Sequence, residues 1–370
     1  MSRQAVRLAR PPRFGNGLLR ERGHDGSLLV EIEPDPLMGT RQWFNFRAQA
    51  PDGATISVVD AGATTYPYGW EIANVWVRPP GQSWQAQKPA YADGVLTFPH
   101  VASNAPTGYA LFPPYPVKKL AAIAEQTRAV PDGEVIPADS ASRRAPRLSL
   151  GDLDPSAAQV WIICGQHGGE HPALWFADGF LNGLLSTPAR TTCGKRFHVV
   201  PIANPTGMFA GHLRTTDAGL DPNRHWGDPD PTHCAEVATL LEAMTETGVD
   251  MLLDVHTDFE MDHVYLDVLE EWMETHPQLV ATRERFEHAL AARSPDFAYG
   301  RRFPWPSAPS PELLAGMCAP AIERRFGATA VTMELPVGRY RNADDVPGDW
   351  TPAKSRALGS ATATVIVEDL

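Results

Sequence analysis

The chain has 370 residues, 43% apolar and 21% charged, with a formal net charge of −12. Such a composition is globular, and the length suits two domains at roughly 100–200 residues each. The acidic balance argues against nucleic acid or an anionic membrane as a partner.

The start, "MSRQAVRLARPPRF", is basic but is not followed by an apolar stretch of the kind a secretory leader needs, so no leader is expected. No run of about 18 apolar residues follows anywhere, so no membrane span is expected either. Residues 1–116 hold short alternating runs: "LLVEIE" (28–33), "WFNFRA" (43–48), "TISVV" (55–59), "NVWVR" (74–78), "VLTFP" (95–99) and "GYALF" (108–112). Turn signals such as "PDGA" and "RPPGQ" punctuate them, and no good helix intervenes. This pattern predicts a small antiparallel β-sandwich domain over 1–116.

The texture changes after "PPYP" (113–116). "VKKLAAIAEQTRAV" (117–130) has apolar positions at helical spacing. From there apolar strands alternate with helices. "QVWIICG", "RFHVVPIANP", "VDMLLDVHTD" and "ATAVTMELP" read as strands. "LWFADGFLNGLLS", "AEVATLLEAMTETG", "HPQLVATRERFEHALAAR", "PELLAGMCAPAIERRFG" and "PAKSRALGSATATVIVEDL" read as helices. Residues 117–370 are therefore predicted to form an α/β domain whose mixed β-sheet is covered by helices on both faces. Four cysteines (Cys164, Cys193, Cys234, Cys318) form no CxxC pair, which argues against a disulfide framework and a thiolate metal site. A cytoplasmic protein with reduced thiols is the expectation.

In open α/β sheets, sites form beyond the carboxyl ends of strands. The first strand of the second domain runs into "GQHGGE", offering His167 and Glu170. "LLDVHTD" offers His256 and "VTMELP" offers Glu334. A long loop, "MFAGHLRTTDAGLDPNRHW", carries Arg214, Asp221, Asn223 and Arg224. Two histidines and one carboxylate form a hydrolytic zinc set that leaves a position for water. Positions i and i+3 share one face of a turn, so His167 and Glu170 can converge on one ion. Gly168 and Gly169 let the backbone approach that ion closely. Glu334 is then a carboxylate able to take a proton from water, and Arg214 a cation able to face a developing oxyanion. Asn223 and Arg224 suit a carboxylate clamp. A lone HxxE occurs by chance in many chains, and the 12 histidines are mostly expected to be core or surface residues; His171 and His198 in particular have no spacing argument. The weight lies in the joint pattern, with complementary groups at the ends of different strands.

These residues resemble the zinc metallocarboxypeptidases, on their cytosolic carboxypeptidase branch. The likeness sits in "HGGE", "NPTGMFAGHLRTTDAGLDPNRHW", "LLDVH" and "VTMELP". It extends through "WFNFR", "YPYGW" and "VLTFPHVASNAPTGYALFPPYP" to a β-sandwich that precedes the catalytic domain in that branch. By position, the resemblance implies one zinc ion per chain held by His167, Glu170 and His256. It implies Glu334 as general base, Arg214 as carbonyl-polarising arginine, and Asn223 with Arg224 on the substrate's terminal carboxylate. Asp221 is implied as the acid that orients His167. The implied reaction is hydrolysis of the C-terminal amide of a peptide or peptide-like substrate.

Three departures bear on specificity. Thr257-Asp258-Phe259 stands where the branch has Gly-Asp-Glu. Leu335-Pro336-Val337-Gly338-Arg339 replaces Met-Pro-Phe-Lys-Asp, and Pro222 replaces a common leucine. Tyr299 and Tyr340 are weak substitutes for the mobile tyrosine of pancreatic-type relatives. Arg301, Arg302 and Arg339 are candidates for reading an acidic side chain. The rival readings are a zinc amidohydrolase or deacylase acting on a small N-acyl amino acid, and a binding module with a dead site. The leading sandwich and the complete Asn-Arg loop disfavour the first rival. The presence of all four catalytic groups disfavours the second. Oligomeric state is left open.

Overall fold

A computed structural model describes residues 7–140, 143–267, 277–304 and 309–370. The first six residues of the basic start and His276, at the head of one predicted helix, lie outside the described residues.

Residues 7–112 form two five-stranded sheets. One has the order β1 (Arg7–Ala9), β4 (Asn45–Gln49), β10 (Thr107–Ala110), β6 (Val75–Arg78), β7 (Gln85–Gln87). The other runs β2 (Leu18–Arg22), β3 (Leu28–Glu31), β5 (Thr55–Val58), β9 (Val95–Pro99), β8 (Ala90–Ala92). Each expected strand is present in register. The pairs are antiparallel except β3 with β5, which is parallel because the chain between them crosses to the other sheet as β4 before it returns. Alternation does the packing: in β5, Ile56 and Val58 are buried while Thr55 is exposed. Trp43, Phe44, Phe46, Trp70, Phe98 and Tyr109 fill the interior.

The second unit is a seven-stranded mixed sheet. Its order is β11 (Glu134–Ile136), β12 (Arg147–Gly151), β14 (Lys195–Val200), β13 (Ala158–Cys164), β15 (Met251–Asp258), β17 (Thr329–Pro336), β16 (Tyr265–Asp267). The four central strands are parallel, and the outer ones antiparallel. β13, β15 and β17 are buried almost throughout, as helices on both faces require. Helix α2 (His171–Ser186) packs with the closing helix Pro352–Glu368 on one face. Helix α4 (Ala235–Thr247) and the helix Cys318–Phe326 cover Trp161, Leu252 and Ala330 on the other. No helix among the described residues is long and apolar enough to cross a membrane, and the four cysteines are free thiols.

From β13 the chain moves to β14 on one side, then crosses to β15 on the other. The crevice for a ligand in such a sheet opens at that reversal, at the carboxyl ends of β13 and β15. His167 follows β13 and His256 lies near the end of β15.

The two units share one continuous core. His171, to which the sequence assigned no role, sits in the seam. It is buried, its ring lies 4.3 Å from Trp43 and 5.2 Å from Phe14, and its Nδ1 accepts the Tyr115 backbone N–H at 3.1 Å. Burial holds its pKa down at about 3. Trp175 of α2 donates to the Pro113 carbonyl (2.9 Å), so the chain between the units is tied to the helix that follows the site.

His198, on β14, is a buried neutral histidine of the ordinary kind. It is bonded to Ser149 Oγ (3.0 Å) and Gln159 Oε1 (2.8 Å) and stacked on Trp161. Burial, then Arg147 and Arg196, hold its pKa down at about 3. An unfolded histidine takes up a proton near 6.5, so between roughly pH 6.5 and 3 the unfolded chain binds more protons than the folded one. Stability that His198 leaves intact above pH 6.5 is therefore lost as the pH falls. His198→Gln should shrink the stability difference between pH 7 and pH 5 by on the order of 1–2 kcal/mol. Urea unfolding of both proteins at both pH values reads this, and an unchanged difference would show that His198 is not the titrating group.

Candidate active site

The apolar strand β13 ends at Cys164, and Gly165, at φ +66°, turns the chain out of the sheet. His167 and Glu170 lie in the turn before α2, with Pro172 among the first residues of that helix. Gly168 and Gly169 have no left-handed torsion to satisfy. What they lack is room: a Cβ on Gly168 would lie 2.8 Å from the His212 carbonyl, and one on Gly169 2.9 Å from Trp43 Cβ. They serve the approach of the loop 208–213 and of the sandwich.

The structure brings His167, Glu170 and His256 together. Their ligand atoms lie within 4.8 Å of one another and all three residues are buried. His167 Nδ1 is 2.6 Å from Glu170 Oε1, His256 Nδ1 is 2.9 Å from Glu170 Oε2, and the two Nδ1 atoms are 3.2 Å apart. The opposite ring nitrogens face carboxylates: His167 Nε2 meets Asp221 at 3.1 Å and His256 Nε2 meets Asp254 at 3.0 Å. With each Nε2–H donated to an acid, both Nδ1 lone pairs point inward at a carboxylate. Such a centre is short of positive charge. Burial opposes the ionised Glu170, yet His167 and His256 outweigh it and hold the carboxyl at about 2. Burial likewise opposes charge on His256, yet Asp254 and Glu170 raise its pKa well above the ordinary value. A divalent cation would supply in one place what those protons supply, so the donor set fits a metal.

Asp254 was missed in the sequence, although its signal was local. It stands two residues before His256, on the same face of β15. Gln166 donates to it at 2.7 Å and is itself held by Trp226 Nε1 at 2.8 Å.

Glu334 enters from β17, in register with His256. Its Oε2 is buried and has no hydrogen-bond partner among the described residues. Burial, reinforced by Glu170, Asp258 and Asp267, pushes its carboxyl pKa well up.

The loop residues gather on the other side. Asp221 Oδ1 accepts from His167 and from the Asn223 backbone N–H (2.9 Å), and Oδ2 accepts from Arg214 Nε (2.6 Å). Burial opposes its charge, but His167 and Arg214 hold it below the usual carboxylate range. Pro222–Arg224 is a single 3-10 turn capped by that same carboxylate. Asn223 Oδ1 accepts the Cys318 N–H at 2.8 Å. The helix expected over 311–327 breaks at Met317, because in a continuous helix the Pro320 ring would clash with the Gly316 carbonyl; the extended Met317 backbone separates Pro311–Gly316 from Cys318–Phe326 and lets the Asn223–Arg224 turn reach in. Arg224 remains partly exposed.

Two further residues come from the sandwich. Tyr66 OH accepts from Arg214 Nη1 at 3.0 Å, and its ring stacks on Phe259 at 5.2 Å. Asp35 accepts three backbone N–H groups, from Leu213 (2.8 Å), Arg214 (2.7 Å) and Thr215 (3.0 Å). Nothing local marks Asp35, since its partners are almost 180 residues away.

Of the eight site residues expected from the sequence, the seven other than Asp221 line one cavity of about 190 Å³, together with Tyr66. Tyr299 and Tyr340 are absent from its lining: Tyr299 is exposed and stacks on His288, and Tyr340 is bonded to Asp296. Nor do Arg301, Arg302 and Arg339 reach it. Arg302 pairs with Glu287, Arg301 with Asp345, and Arg339 with the Glu71 carbonyl, so their proposed role is corrected.

Residues 14–112 match the model of the cytosolic carboxypeptidase N-terminal domain. An uncharacterized protein of Zymomonas mobilis is 27% identical over 96% of this chain and 94% of its own. Human cytosolic carboxypeptidase 6 is 32% identical, but over 30% of this chain and only 21% of that longer protein. Among solved structures, a metallo-carboxypeptidase from Pseudomonas aeruginosa, in complex with (2-guanidinoethylmercapto)succinic acid, superposes with a TM-score of 0.87. It is 26% identical, and 98% of each chain is covered.

Asp35→Ala leaves three backbone donors without their anion. Hydrogen bonds to a charged partner contribute roughly 1.5–3 kcal/mol each, partly recovered by water, so the variant should lose about 3 kcal/mol of unfolding free energy. Asp35→Asn, which keeps one acceptor oxygen, should lose less. Urea unfolding reads both, and equal losses would mean that the carboxylate's bonds are not what holds the loop.

Proposed function

We propose that this chain is a metallocarboxypeptidase of the cytosolic carboxypeptidase branch and releases the C-terminal residue of a peptide or peptide-like substrate with one zinc ion per chain. The observation that carries this reading is the convergence of two histidine Nδ1 atoms and a buried carboxylate beside the unpartnered Glu334 Oε2. His167, Glu170 and His256 would hold the metal, with Asp221 and Asp254 orienting the two rings. Two nitrogens and a carboxylate suit zinc and leave a position open. When bound, zinc supplies Lewis acidity toward water and the scissile carbonyl.

The chain's own residues do the rest. Glu334 accepts the proton of the attacking water at Oε2 and hands it to the departing amine. Arg214, fixed by Asp221 and Tyr66, stands where negative charge builds on the carbonyl oxygen. The Asn223 amide and the Arg224 guanidinium grip the terminal carboxylate, with Arg224 exposed enough to meet an incoming chain end. That the Pseudomonas aeruginosa relative was captured with a succinic acid derivative supports a carboxylate-reading site. We place the division between the sandwich and the catalytic unit at residues 116 and 117. The free thiols support a cytoplasmic setting.

Glu334→Gln should retain close to one zinc per chain by elemental analysis while turnover falls by about 10²–10⁴-fold, the usual share of a general base. Retained turnover would remove Glu334 from that role. A peptide whose C-terminus is amidated should be cut far more slowly than its free-acid twin. Equal rates would dissolve the clamp assigned to Asn223 and Arg224.

A further inference from the structure

The sandwich contributes Tyr66 to the wall of the cavity that holds His167, Glu170, Arg214, His256 and Glu334. The residue is fixed along its whole length. Gln42, 1% exposed, grips its backbone twice, with Oε1 accepting the Tyr66 N–H at 3.2 Å and Nε2 donating to the Tyr66 carbonyl at 3.1 Å. The ring lies flat on Phe259, with 5.2 Å between centroids and 7° between planes. The turn that follows, Pro67–Glu71, is pressed against the same loop: a Cβ on Gly69 would lie 2.3 Å from the Phe259 carbonyl oxygen. At the far end the hydroxyl meets Arg214 Nη1 at 3.0 Å.

That last bond leaves a donor over. A guanidinium only donates, so the Tyr66 oxygen is the acceptor and its own proton points elsewhere. No acceptor for that proton stands among the described residues. Tyr265, which lines the same cavity, differs here, because it gives its proton to Asp258 Oδ2 at 2.7 Å. Arg214 is in the same condition as Tyr66. Its Nε is spent on Asp221 and its Nη1 on Tyr66, and its Nη2 meets no acceptor among the described residues. Burial, opposed by Arg214 and reinforced by Glu170, raises the pKa of the Tyr66 hydroxyl, so the proton stays in place. A hydroxyl that accepts from a cation is polarised, which strengthens it as a donor. The pair is thus one charged and one neutral donor, held rigidly together beside the proposed metal ligands. Such a pair stabilises an oxygen that is gaining negative charge more than it does a neutral carbonyl.

We infer that Tyr66 is a catalytic residue: with Arg214, its hydroxyl hydrogen-bonds the scissile carbonyl oxygen as that oxygen becomes an oxyanion, and it keeps its own proton throughout. This inference rests on the exopeptidase reading above and adds to it a donor that the sandwich supplies. The α/β unit alone then lacks part of its oxyanion site.

The test uses the full-length, zinc-loaded protein. Tyr66→Phe keeps the ring on Phe259 and removes only the hydroxyl. It should lower kcat about 10²-fold, the usual effect of losing one such donor, with KM little changed. A phosphinic pseudopeptide, whose tetrahedral phosphorus carries a negative oxygen, should bind more weakly by a similar factor in calorimetry, while an N-acetyl amino acid binds as before. Retained turnover and phosphinate affinity overturn the inference. So does an equal loss for both ligands, which marks a contact made in the ground state. A second variant separates donation from mere support of Arg214. Replacing Tyr66 by 3-fluorotyrosine, measured at about pH 6 where the phenol stays neutral, makes the hydroxyl a better donor and a poorer acceptor. Tighter phosphinate sustains the inference. Unchanged or weaker phosphinate means that Tyr66 acts only by positioning Arg214, and overturns it. If the wild-type protein cuts no peptide, the exopeptidase reading ends and the phosphinate comparison still decides. Weaker binding by Tyr66→Phe then sustains the hydroxyl's role, and binding that is equal in the two proteins, or absent from both, ends it.

Discussion

The rest of the site depends on one buried carboxylate. Asp221 takes the Nε2–H of His167 and the backbone N–H of Asn223 on one oxygen and the Nε–H of Arg214 on the other. A ring proposed to bind metal, a guanidinium proposed to face the oxyanion and the turn proposed to grip the substrate thus share a single anion. Removing one partner of a buried charge pair usually costs about 3–5 kcal/mol, because the remaining charge is left uncompensated. The loop from Gly211 to Arg224 therefore has one good arrangement, and its three groups are positioned together. Asp254 performs the smaller, parallel task for His256. Between these two acids, both inward-facing nitrogens are fixed before any ion arrives, which is the preorganisation that a tight site needs.

A second constraint is that the site is built across two units. The sandwich supplies Asp35, whose carboxylate closes the backbone of residues 213–215 like an anion in a nest, and Tyr66, which buttresses Arg214 from the far side. The seam between the units is packed around His171, held neutral by burial between Trp43 and Phe14. A hinge there would move Arg214 relative to the proposed metal ligands, and aromatic packing at van der Waals distance resists that. Residues 7–112 thus help to shape the proposed site, through Asp35 and Tyr66.

Most of the sheet and its helices were legible, because apolar runs of β13, β15 and β17 and the helical spacing of α2 and α4 are local patterns. Short edge strands such as β11 and β16 were not, since three residues carry no periodicity. The break at Met317 was legible but unread: Pro320 cannot sit in the interior of one helix over 311–327, so the second helix starts just before it, and the Asn223 side chain, bonded to Cys318, occupies the break. Arg301, Arg302 and Arg339 looked available for substrate in the sequence. Their partners Glu287, Asp345 and the Glu71 carbonyl are brought to them by folding.

By itself, the sequence determined the donor types and where the strands would deliver them. His167 with Glu170, His256 and Glu334 each follow or end an apolar strand, and backbone periodicity is enough to say so. It also determined the order of the two units, through the change from alternating to continuous apolar runs near residue 116. Only the tertiary structure decided why Gly168 and Gly169 must be glycine, that Asp35 and Tyr66 adjoin the proposed site, and that Arg301, Arg302 and Arg339 are held away from it. The physical reason is the same in each case. These outcomes are set by contacts between backbone or charges far apart along the chain, and nothing in a local pattern encodes which distant group will be the neighbour.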